Sequence, residues 1–382
     1  MLRILGIGDA DSIHTIKWAN YFAVRGHALH LVSFNPVSPA SAAAYHPNVT
    51  LDPWLIPTFH LKRFWLTLSA LRRIRATARH HRAQVVHAHY LGHAAWLAAL
   101  AGVRPLVVSV MGGGDILGNV WRPNSLRERF LTPFTLHRSD LVLCWSPNLA
   151  SIVKRMLGAE NKVLVVVGGV DLHVFRRREE ARRLRESLGI SPDDFVIFSP
   201  RMLRPLSNID VIVDALALVR RDIPKARLLL VMYNASSYAD YASLIRHRVE
   251  HAGLEQAVHF LESIPNPEMP THYSAVDCTV SIPSSDGTPM TVMESLACGT
   301  PVVVLDLPDY DPSLFVHRRT VLRIEKAQPG PLAEALVALA CDRQLAQGMV
   351  RQARELVAQR VSYEVEMERI AEDYERLAAT SR

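Results

Sequence analysis

Two carboxylates, Asp286 and Glu294, stand eight positions apart in the segment SSDGTPMTVMESLACGTPVV, residues 284–303. Carboxylates accept hydrogen bonds from hydroxyl groups, and phosphates bind where a helix begins, because the first backbone N–H groups there are unpaired. The pattern suits an extended ligand with hydroxyls at both ends and phosphates between them, which is the shape of a nucleotide-sugar. The alternative is that Asp286 only forms a turn and Glu294 is a solvated helix acid.

Local rules predict the elements that position these two acids. Thr288 is a good N-cap residue, and Pro289 suits the first helical position, where its missing N–H loses nothing. Gly299 is placed to end the helix, and Val302–Leu305 has the pattern of a buried strand. Glu294 would lie on the order of 9 Å along the helix axis from Thr288. A loop, a short helix and a core strand are therefore predicted.

Composition narrows the class of protein. A chain of 382 residues, 49% hydrophobic and 21% charged, predicts a globular protein of two domains. No apolar run reaches the length of a membrane span, and the opening MLRILGIGDADSIHT lacks a signal-peptide cleavage pattern, so a cytoplasmic protein is expected. The four cysteines form no C-x-x-C pair, which indicates neither a zinc site nor a disulfide framework.

The formal net charge of +6 favours anionic partners. Nucleic acid is disfavoured among them, because the chain has no zinc finger, RNA-binding signature or aromatic-basic repeat.

Strand patterns alternate with helical patterns along the chain, which predicts an α/β protein with two doubly wound parallel sheets. Ligands of such sheets bind at the carboxyl ends of the strands. The segment GGVDLHVFRRREEARR, residues 168–183, predicts a linker, and a helix is predicted at about Ile13–Val24. The predicted strands are Arg3–Ile7, Ala28–Phe34, Val85–His89, Leu106–Val110, Leu141–Cys144 and Val163–Val167 before the linker, and Phe195–Phe198, Leu228–Met232, Val258–Leu261, Cys278–Ile282 and Pro301–Leu305 after it.

These motifs resemble the retaining glycosyltransferases of family 4 (group 1), which have the GT-B fold. The family's E-x7-E motif and its Ala-Cys-Gly-Thr-Pro-Val ending correspond to Asp286–Glu294 and Ala297–Val302. Gly168–Phe175 resembles the family's Asn-Gly-Val-Asp segment at the domain junction, and Glu268–Asp277 resembles the segment before the motif strand. Ser362–Tyr374 resembles the tail that crosses back to the first domain.

The resemblance implies two Rossmann-like domains facing across a cleft. Residues 1–170 would form the acceptor-side domain and residues 171–361 the nucleotide-sugar donor domain. Residues 362–382 would form a C-terminal helix that returns to the first domain.

Three positions depart from the family pattern. The first motif acid is Asp286 rather than Glu, one methylene shorter, and Gly168 replaces the Asn of the junction segment. Of the Arg and Lys that grip the donor diphosphate, Arg201 matches the Arg, but no Lys follows it. Arg204 is a candidate substitute, because a guanidinium binds phosphate, although with a different geometry from an ammonium.

The stretch GIGDADS near the start allows several interpretations. Gly6 and Gly8 begin a dinucleotide fingerprint, but Asp11 breaks its third glycine position. Asp9 and Asp11 mimic a metal-binding D-x-D motif, although they follow the first strand rather than a later one. We interpret Gly8 to Ser12 as a turn near the donor phosphates and the acceptor.

Two further positions in the first domain resemble family features. His89 ends a strand pattern and resembles the family's His that faces the donor sugar; the alternative is a strand-end histidine with a structural role. The segment Gly112–Asp115 resembles a Gly-Ser-Asp loop, with Asp115 on the acceptor side; the alternative is a plain turn.

The segment from His60 to Arg82 carries seven Lys or Arg and no acid, with apolar residues at helical spacing. Such a basic amphipathic helix suits an anionic membrane that holds a lipid-linked acceptor. The alternative is a helix that packs its Leu and Trp side chains onto its own sheet, with a solvated basic face.

The resemblance implies transfer of a sugar from a nucleotide-diphosphate-sugar to a hydroxyl of a glycan or lipid-linked acceptor, without metal or other cofactor. Glu294 would bind the ribose and Asp286 the donor sugar, while Arg201 and Arg204 would stabilise the leaving diphosphate. The remaining donor-binding residues are Gly8, Ser12, Gly287, Thr288, Pro289, Met290 and Thr291.

Two alternatives keep the fold and change the function. One is a nucleotide-sugar epimerase or a phosphorylase-like enzyme, and an epimerase would turn over donor without an acceptor. The other is a non-catalytic subunit that binds nucleotide-sugar, as the missing Lys and the shortened acid allow. The broken glycine fingerprint disfavours a nicotinamide oxidoreductase.

Overall fold

The computed structural model describes residues 1–52, 64–111, 126–166, 168–233 and 235–380. The chain forms two compact units. Unit 1 contains Met1–Val167 together with Glu366–Arg382, and unit 2 contains Gly168–Val365. Each unit is built on one parallel sheet with helices between the strands.

The sheet of unit 1 has the strand order β3-β2-β1-β4-β5-β6-β7. Its described strands are β1 (Arg3–Gly8), β2 (Ala28–Ser33), β3 (Val49–Asp52), β4 (Val85–Ala88), β5 (Leu106–Val110), β6 (Leu141–Cys144) and β7 (Val163–Val165). Its described helices are α1 (Ile13–Val24), α2 (Pro39–Ala43), α3 (Phe64–His80), α4 (His93–Ala101), α5 (Leu126–Arg138) and α6 (Pro147–Leu157).

Unit 2 has the strand order β10-β9-β8-β11-β12-β13. Its strands are β8 (Phe195–Ser199), β9 (Ala226–Val231), β10 (Val258–Leu261), β11 (Cys278–Ser281), β12 (Val302–Leu305) and β13 (Leu322–Ile324). Its helices are α7 (Ala181–Ser187), α8 (Ile209–Asp222), α9 (Ala239–His251), α10 (Met269–Ser274), α11 (Met290–Ala297), α12 (Pro329–Cys341) and α13 (Arg343–Arg360), with short 3-10 turns at Pro205–Ser207, Ala235–Tyr238 and Asn266–Glu268. The last helix of the chain, α14, spans Tyr363–Thr380.

Helix α14 contributes a buried tyrosine to the core of unit 1. The Tyr374 hydroxyl accepts a hydrogen bond from Trp18 Nε1 at 3.2 Å and lies 2.5 Å from His87 Nδ1. The other ring nitrogen of His87 lies 2.7 Å from Ser109 Oγ. The Tyr374 ring also stacks on Phe22. This chain of hydrogen bonds connects α1, β4, β5 and α14 within unit 1.

The predicted α/β fold with two domains is confirmed, and two details differ from the prediction. Strands β3 and β13 were not predicted from the sequence; each is an edge strand of its sheet and only four or three residues long. The predicted linker is partly ordered structure, because helix α7 begins at Ala181 and Val170 pairs with Ser362 in a β-bridge.

The strand order of each sheet reverses at one point. In unit 1 the chain moves outward from β1 in one direction and from β4 in the other, and in unit 2 the same holds for β8 and β11. Loops that leave the carboxyl ends of strands at this point diverge to opposite faces of the sheet, which opens a crevice for ligands. Each unit therefore has one position where the topology favours ligand binding. In unit 1 it lies at the loops after β1 and β4, and in unit 2 at the loops after β8 and β11.

Candidate functional site

The two loops at the strand-order reversal of unit 2 are joined by hydrogen bonds. Asn208, in the loop after β8, donates from Nδ2 to the carbonyl of Ile282 at 2.8 Å and to Ser284 Oγ at 3.1 Å. The Ser284 amide donates to the carbonyl of Leu206 at 2.9 Å. Asn208 adopts φ of +53°, a left-handed conformation that Asn tolerates better than most residues. These bonds fix the loop after β11 against the loop after β8.

This arrangement brings Arg201 and Asp286 together across 85 positions of sequence. Arg201 Nη1 lies 2.9 Å from Asp286 Oδ2, and the side chains are 13% and 19% exposed. The Gly287 amide donates to Asp286 Oδ1 at 2.9 Å, so the acid also forms the local turn. Burial raises the pKa of Asp286 above 3.8, although Arg201 and the Gly287 amide oppose the shift. The Arg201 guanidinium and the Asp286 carboxylate therefore lie side by side, so a cation stands next to a group that can accept hydrogen bonds from hydroxyls.

Arg204 lies near the same acid. Its positive charge also acts to lower the pKa of Asp286, after the larger effects of Arg201 and the Gly287 amide. The Arg204 Nε atom is buried and has no hydrogen-bond partner among the described residues. The same is true of the Thr291 hydroxyl. Arg204 therefore keeps a donor available near Asp286, and Thr291 keeps a hydroxyl available in the first turn of α11.

Helix α11 begins one residue later than predicted. Pro289 occupies the N-cap position, with φ −76° and ψ 102°, and its carbonyl accepts from the amides of Val292 and Met293. The prediction of Thr288 as N-cap is therefore wrong, because the extended ψ of Pro289 keeps it outside the helix. Thr288 is buried in the loop that leads into Met290, so the helix start still adjoins Asp286 and Gly287 in the chain.

Glu294 is buried rather than solvated, with 8% of its surface exposed. Its Oε2 atom accepts a hydrogen bond from Tyr273 Oη at 3.1 Å. Tyr273, on α10, is fully buried, and burial with the nearby Glu294 raises its pKa well above 10, so it stays a donor. The Tyr273 carbonyl accepts from Thr300 Oγ1 at 2.6 Å, which connects the Cys-Gly-Thr-Pro ending to the same group. The alternative of a solvated helix acid is wrong.

Two tyrosines of this region, Tyr273 and Tyr310, were not among the predicted site residues. Tyr310 stacks on Phe315 with ring centroids 4.4 Å apart, and its buried hydroxyl has no partner among the described residues. After burial, the charge of Asp286 is the largest effect that raises the Tyr310 pKa, which indicates that the hydroxyl lies near that acid. Tyr273 stands within the quoted Glu268–Asp277 segment, whereas no motif marked Tyr310.

His89 follows β4 at the strand-order reversal of unit 1. It is 1% exposed, packs edge-on against Trp18 at 4.5 Å and lies 4.1 Å from the ring of His87. Neither ring nitrogen of His89 has a hydrogen-bond partner among the described residues. Burial lowers its pKa to about 3, with a smaller effect of His14, so the imidazole is neutral near pH 7. A neutral imidazole can donate or accept one hydrogen bond but contributes no charge.

The predicted turn after β1 lies beside His89. A Cβ atom on Gly8 would come within 2.9 Å of His89 Cβ, which explains why only glycine fits there. Ser12 precedes α1, and its Oγ lies 3.3 Å from Tyr90 Oη. Gly8, Ser12 and His89 thus share the carboxyl edge of the unit 1 sheet.

The two acids that mimic a metal-binding D-x-D motif serve this turn instead. Asp9 accepts from Asn35 Nδ2 at 3.0 Å, and Asp11 accepts from the Ser38 amide at 2.9 Å and its hydroxyl at 2.7 Å. These bonds lower the pKa of Asp11. Within the described residues, no three His, Cys, Asp or Glu side chains converge as a metal site would require.

Asp115 and the rest of its glycine loop lie outside the described residues, as do residues 60–63 of the predicted basic helix. Helix α3 buries Ala70 and Ile74, but Phe64 and Trp65 are 67% and 56% exposed. The expectation that its Trp packs onto the sheet is therefore wrong, because Trp65 lies on the outer face of the helix. In the described part of the chain, no helix has the length and apolar character to cross a bilayer.

Two α/β units, each built on one parallel sheet with a ligand-binding position at the carboxyl ends of its strands, are typical of the GT-B fold. A solved structure of Anabaena HepE in complex with UDP and glucose has a TM-score of 0.80 to this chain at 19% identity, and covers 99% of this chain and 100% of that one. Sucrose-phosphate synthase from Thermosynechococcus elongatus has a TM-score of 0.78 at 17% identity, with both chains covered completely.

Family models match both halves of the chain. The model "Glycosyltransferase Family 4" matches residues 12–174, and "Glycosyl transferases group 1" matches residues 180–356. This chain belongs to the group 1 family of glycosyltransferases.

Named relatives of this chain are similar over most of its length. D-inositol 3-phosphate glycosyltransferases from Jonesia denitrificans and Paenarthrobacter aurescens are both 27% identical to it, over 71% and 73% of this chain. The chain spans about two thirds of the length of these curated relatives, 66% and 69%.

Proposed function

We propose that this protein transfers a sugar from a nucleotide-diphosphate-sugar to an acceptor hydroxyl and retains the anomeric configuration. The observation that carries the proposal is the group Arg201, Asp286 and Glu294 at the strand-order reversal of unit 2. Asp286 is a partly buried acceptor paired with a cation, and Glu294 is a buried acceptor oriented by Tyr273. Such a group suits a ligand with hydroxyls at both ends and negative charge between them.

In the proposed reaction the bond from the anomeric carbon to the diphosphate breaks, and a bond to the acceptor oxygen forms on the same face. By resemblance to the family, the acceptor proton passes to the departing phosphate oxygen, and no metal takes part. Arg201, Arg204 and the start of α11 would stabilise the negative charge on the leaving diphosphate. Glu294 would accept from the ribose hydroxyls and Asp286 from the donor-sugar hydroxyls. His89, Gly8 and Ser12 would contribute from unit 1.

The relatives suggest substrates for a first test. HepE is solved with UDP and glucose, and the named relatives act on D-inositol 3-phosphate, so UDP-glucose and inositol phosphate belong in the first panel.

We also propose that the acceptor is a glycan or a lipid-linked molecule on an anionic membrane surface, since α3 exposes Phe64 and Trp65 with several arginines. Sedimentation with anionic and neutral vesicles tests this; equal binding of wild type and Phe64→Ser/Trp65→Ser would contradict it.

Nucleotide binding is the decisive measurement for the donor site. Titration calorimetry with UDP, GDP, ADP and TDP, each with and without EDTA, should give binding of one nucleotide that persists in EDTA. Glu294→Ala should weaken that binding about tenfold or more, because it removes a charged hydrogen-bond acceptor. Glu255→Ala is the matched control, since Glu255 is an exposed acid of the same unit. Binding equally weakened by both variants, or abolished by EDTA, would argue against the proposed site.

Anomeric NMR of the product then separates the reactions. Transfer with retention supports the proposal. Turnover of donor without an acceptor would indicate an epimerase, and nucleotide binding without any turnover would indicate a non-catalytic subunit.

A further inference from the structure

Unit 1 has a second concave region, at the edge of its sheet opposite to Gly8 and His89. A cavity of about 310 Å³ lies between the ends of α3 and α4 and the residues that lead into β4 and β5. Four of its lining residues are arginines, Arg75, Arg79, Arg82 and Arg104, and its lining contains no Asp or Glu. Since β4 and β5 begin here, this is the amino edge of the sheet, away from the proposed donor and acceptor residues.

The charges of this cavity are only partly compensated within the described residues. Arg104 Nη2 pairs with Asp140 Oδ1 at 2.9 Å. Arg75 donates to the carbonyls of Leu100 and Ala101 at the end of α4. The side chains of Arg79 and Arg82 form no hydrogen bond or ion pair with any described residue, and the Arg79 side chain is exposed. Two guanidinium groups are therefore available to an incoming anion.

The backbone of Arg82 adopts a conformation in which a glycine would be less strained. Arg82 has φ of +48°, a left-handed conformation that glycine adopts without strain and other residues adopt at a cost. Its amide donates to the Arg79 carbonyl, and its carbonyl accepts from Arg3 Nε at 2.9 Å, so the conformation ends the helix. A glycine would serve this role better, and the guanidinium is what arginine adds.

The positive charge of unit 1 also favours the binding of an anion. Unit 1 has 21 Lys and Arg against 12 Asp and Glu, a formal charge of +9, whereas unit 2 has 22 against 25, a charge of −3. Arg75, Arg79 and Arg82 have no carboxylate partner among the described residues, and their like charges around one cavity favour the entry of an anion. Guanidinium groups bind phosphate oxygens through paired N–H donors, so a phosphate suits a cavity lined by several arginines.

We infer that this arginine cavity binds a phosphate group. The phosphate is either free in solution or the headgroup of a phospholipid, and the chemistry of recognition is the same for both. The inference goes beyond the proposed donor site, because the cavity shares no residue with it.

Three variants test the cavity by titration calorimetry with inorganic phosphate at constant ionic strength. Arg79→Gln and Arg82→Gly each remove one cavity guanidinium, and glycine at position 82 relieves the backbone strain, so this variant should fold at least as well as wild type. Each should weaken phosphate binding about tenfold. Arg72→Gln is the matched control, since Arg72 is an exposed arginine of the same helix outside the cavity. It should leave the affinity unchanged.

A donor-site variant keeps the two proposals distinguishable. Phosphate binding at the arginine cavity should persist in Arg201→Met, whatever that variant does to nucleotide binding. Loss of phosphate binding in Arg201→Met but not in Arg79→Gln would overturn the inference and assign the phosphate to the donor site.

Vesicle sedimentation separates the two sources of phosphate. Vesicles of phosphatidylcholine with phosphatidic acid, compared with pure phosphatidylcholine, should bind wild type more than Arg79→Gln and Arg82→Gly if the source is a lipid. Arginine-dependent binding of inorganic phosphate alone would support a free phosphate. The inference fails if neither probe binds, or if Arg72→Gln loses as much affinity for inorganic phosphate in calorimetry as the cavity variants.

Discussion

Replacing Tyr273 by Phe tests whether the buried hydrogen bond to Glu294 stabilises unit 2. The change removes one oxygen atom and leaves the aromatic ring in a fully buried site, so no large cavity forms. It removes the donor that lies 3.1 Å from Glu294 Oε2, inside a region where the carboxylate is only 8% exposed. Hydrogen bonds to charged groups contribute more than neutral ones, so we expect the free energy of unfolding to fall by roughly 2 kcal/mol.

Thermal unfolding converts this energy into a measurable shift. Unit 2 spans Gly168–Val365, and for a unit of this size 2 kcal/mol corresponds to a fall in Tm of about 4–8 °C. The same variant should weaken nucleotide binding if Glu294 accepts from the ribose, because the carboxylate then loses the Tyr273 hydrogen bond that helps to orient it.

Tyr310→Phe is the matched control for this experiment. Tyr310 is also a buried tyrosine of unit 2, but its hydroxyl has no partner among the described residues. Removing an unpaired buried hydroxyl should leave the stability unchanged or raise it. The reasoning is refuted if Tyr273→Phe and Tyr310→Phe shift the Tm equally, or if Tyr273→Phe has no effect.

Two further predictions concern pH. Burial raises the pKa of Asp286 above its unfolded value of 3.8, so the stability that this group contributes is full below pH 3.8 and is lost as pH rises through the folded pKa. Urea unfolding of Asp286→Asn should lack this fall, and an unchanged pH profile would contradict the assignment. The pKa of His89 is lowered from 6.5 to about 3, so its contribution is full above pH 6.5 and is lost as pH falls towards 3. Unit 1 of His89→Asn should therefore lose less stability on acidification than unit 1 of wild type. NMR of wild type should show no titration of the His89 ring between pH 5 and pH 8. A titration midpoint within that range would disprove the burial argument.

Local patterns in the sequence were sufficient for most elements of the fold. The strand at Leu141–Cys144 and the helix at Ile13–Val24 have the predicted bounds, because apolar periodicity and terminal residues act over a few positions. Thr288, Pro289 and Gly299 also indicated the loop and helix that carry both acids. The edge strands β3 and β13 were missed, since a run of three or four residues is too short to show a period. The start of α11 was predicted one residue early, as two neighbouring residues, Thr288 and Pro289, both suit a helix start.

The sequence by itself determined the alternation of strands and helices, the family and the candidate residues, because each is written in short stretches of chain. Only the tertiary structure decided which of those residues meet. Arg201 reaches Asp286 because β8 and β11, far apart in sequence, end at the same edge of the unit 2 sheet, and Tyr273 reaches Glu294 because helices α10 and α11 contact each other. The pKa values of His89 and Asp286 depend on burial and on neighbouring charges, which are properties of packing. No local pattern of residues encodes them.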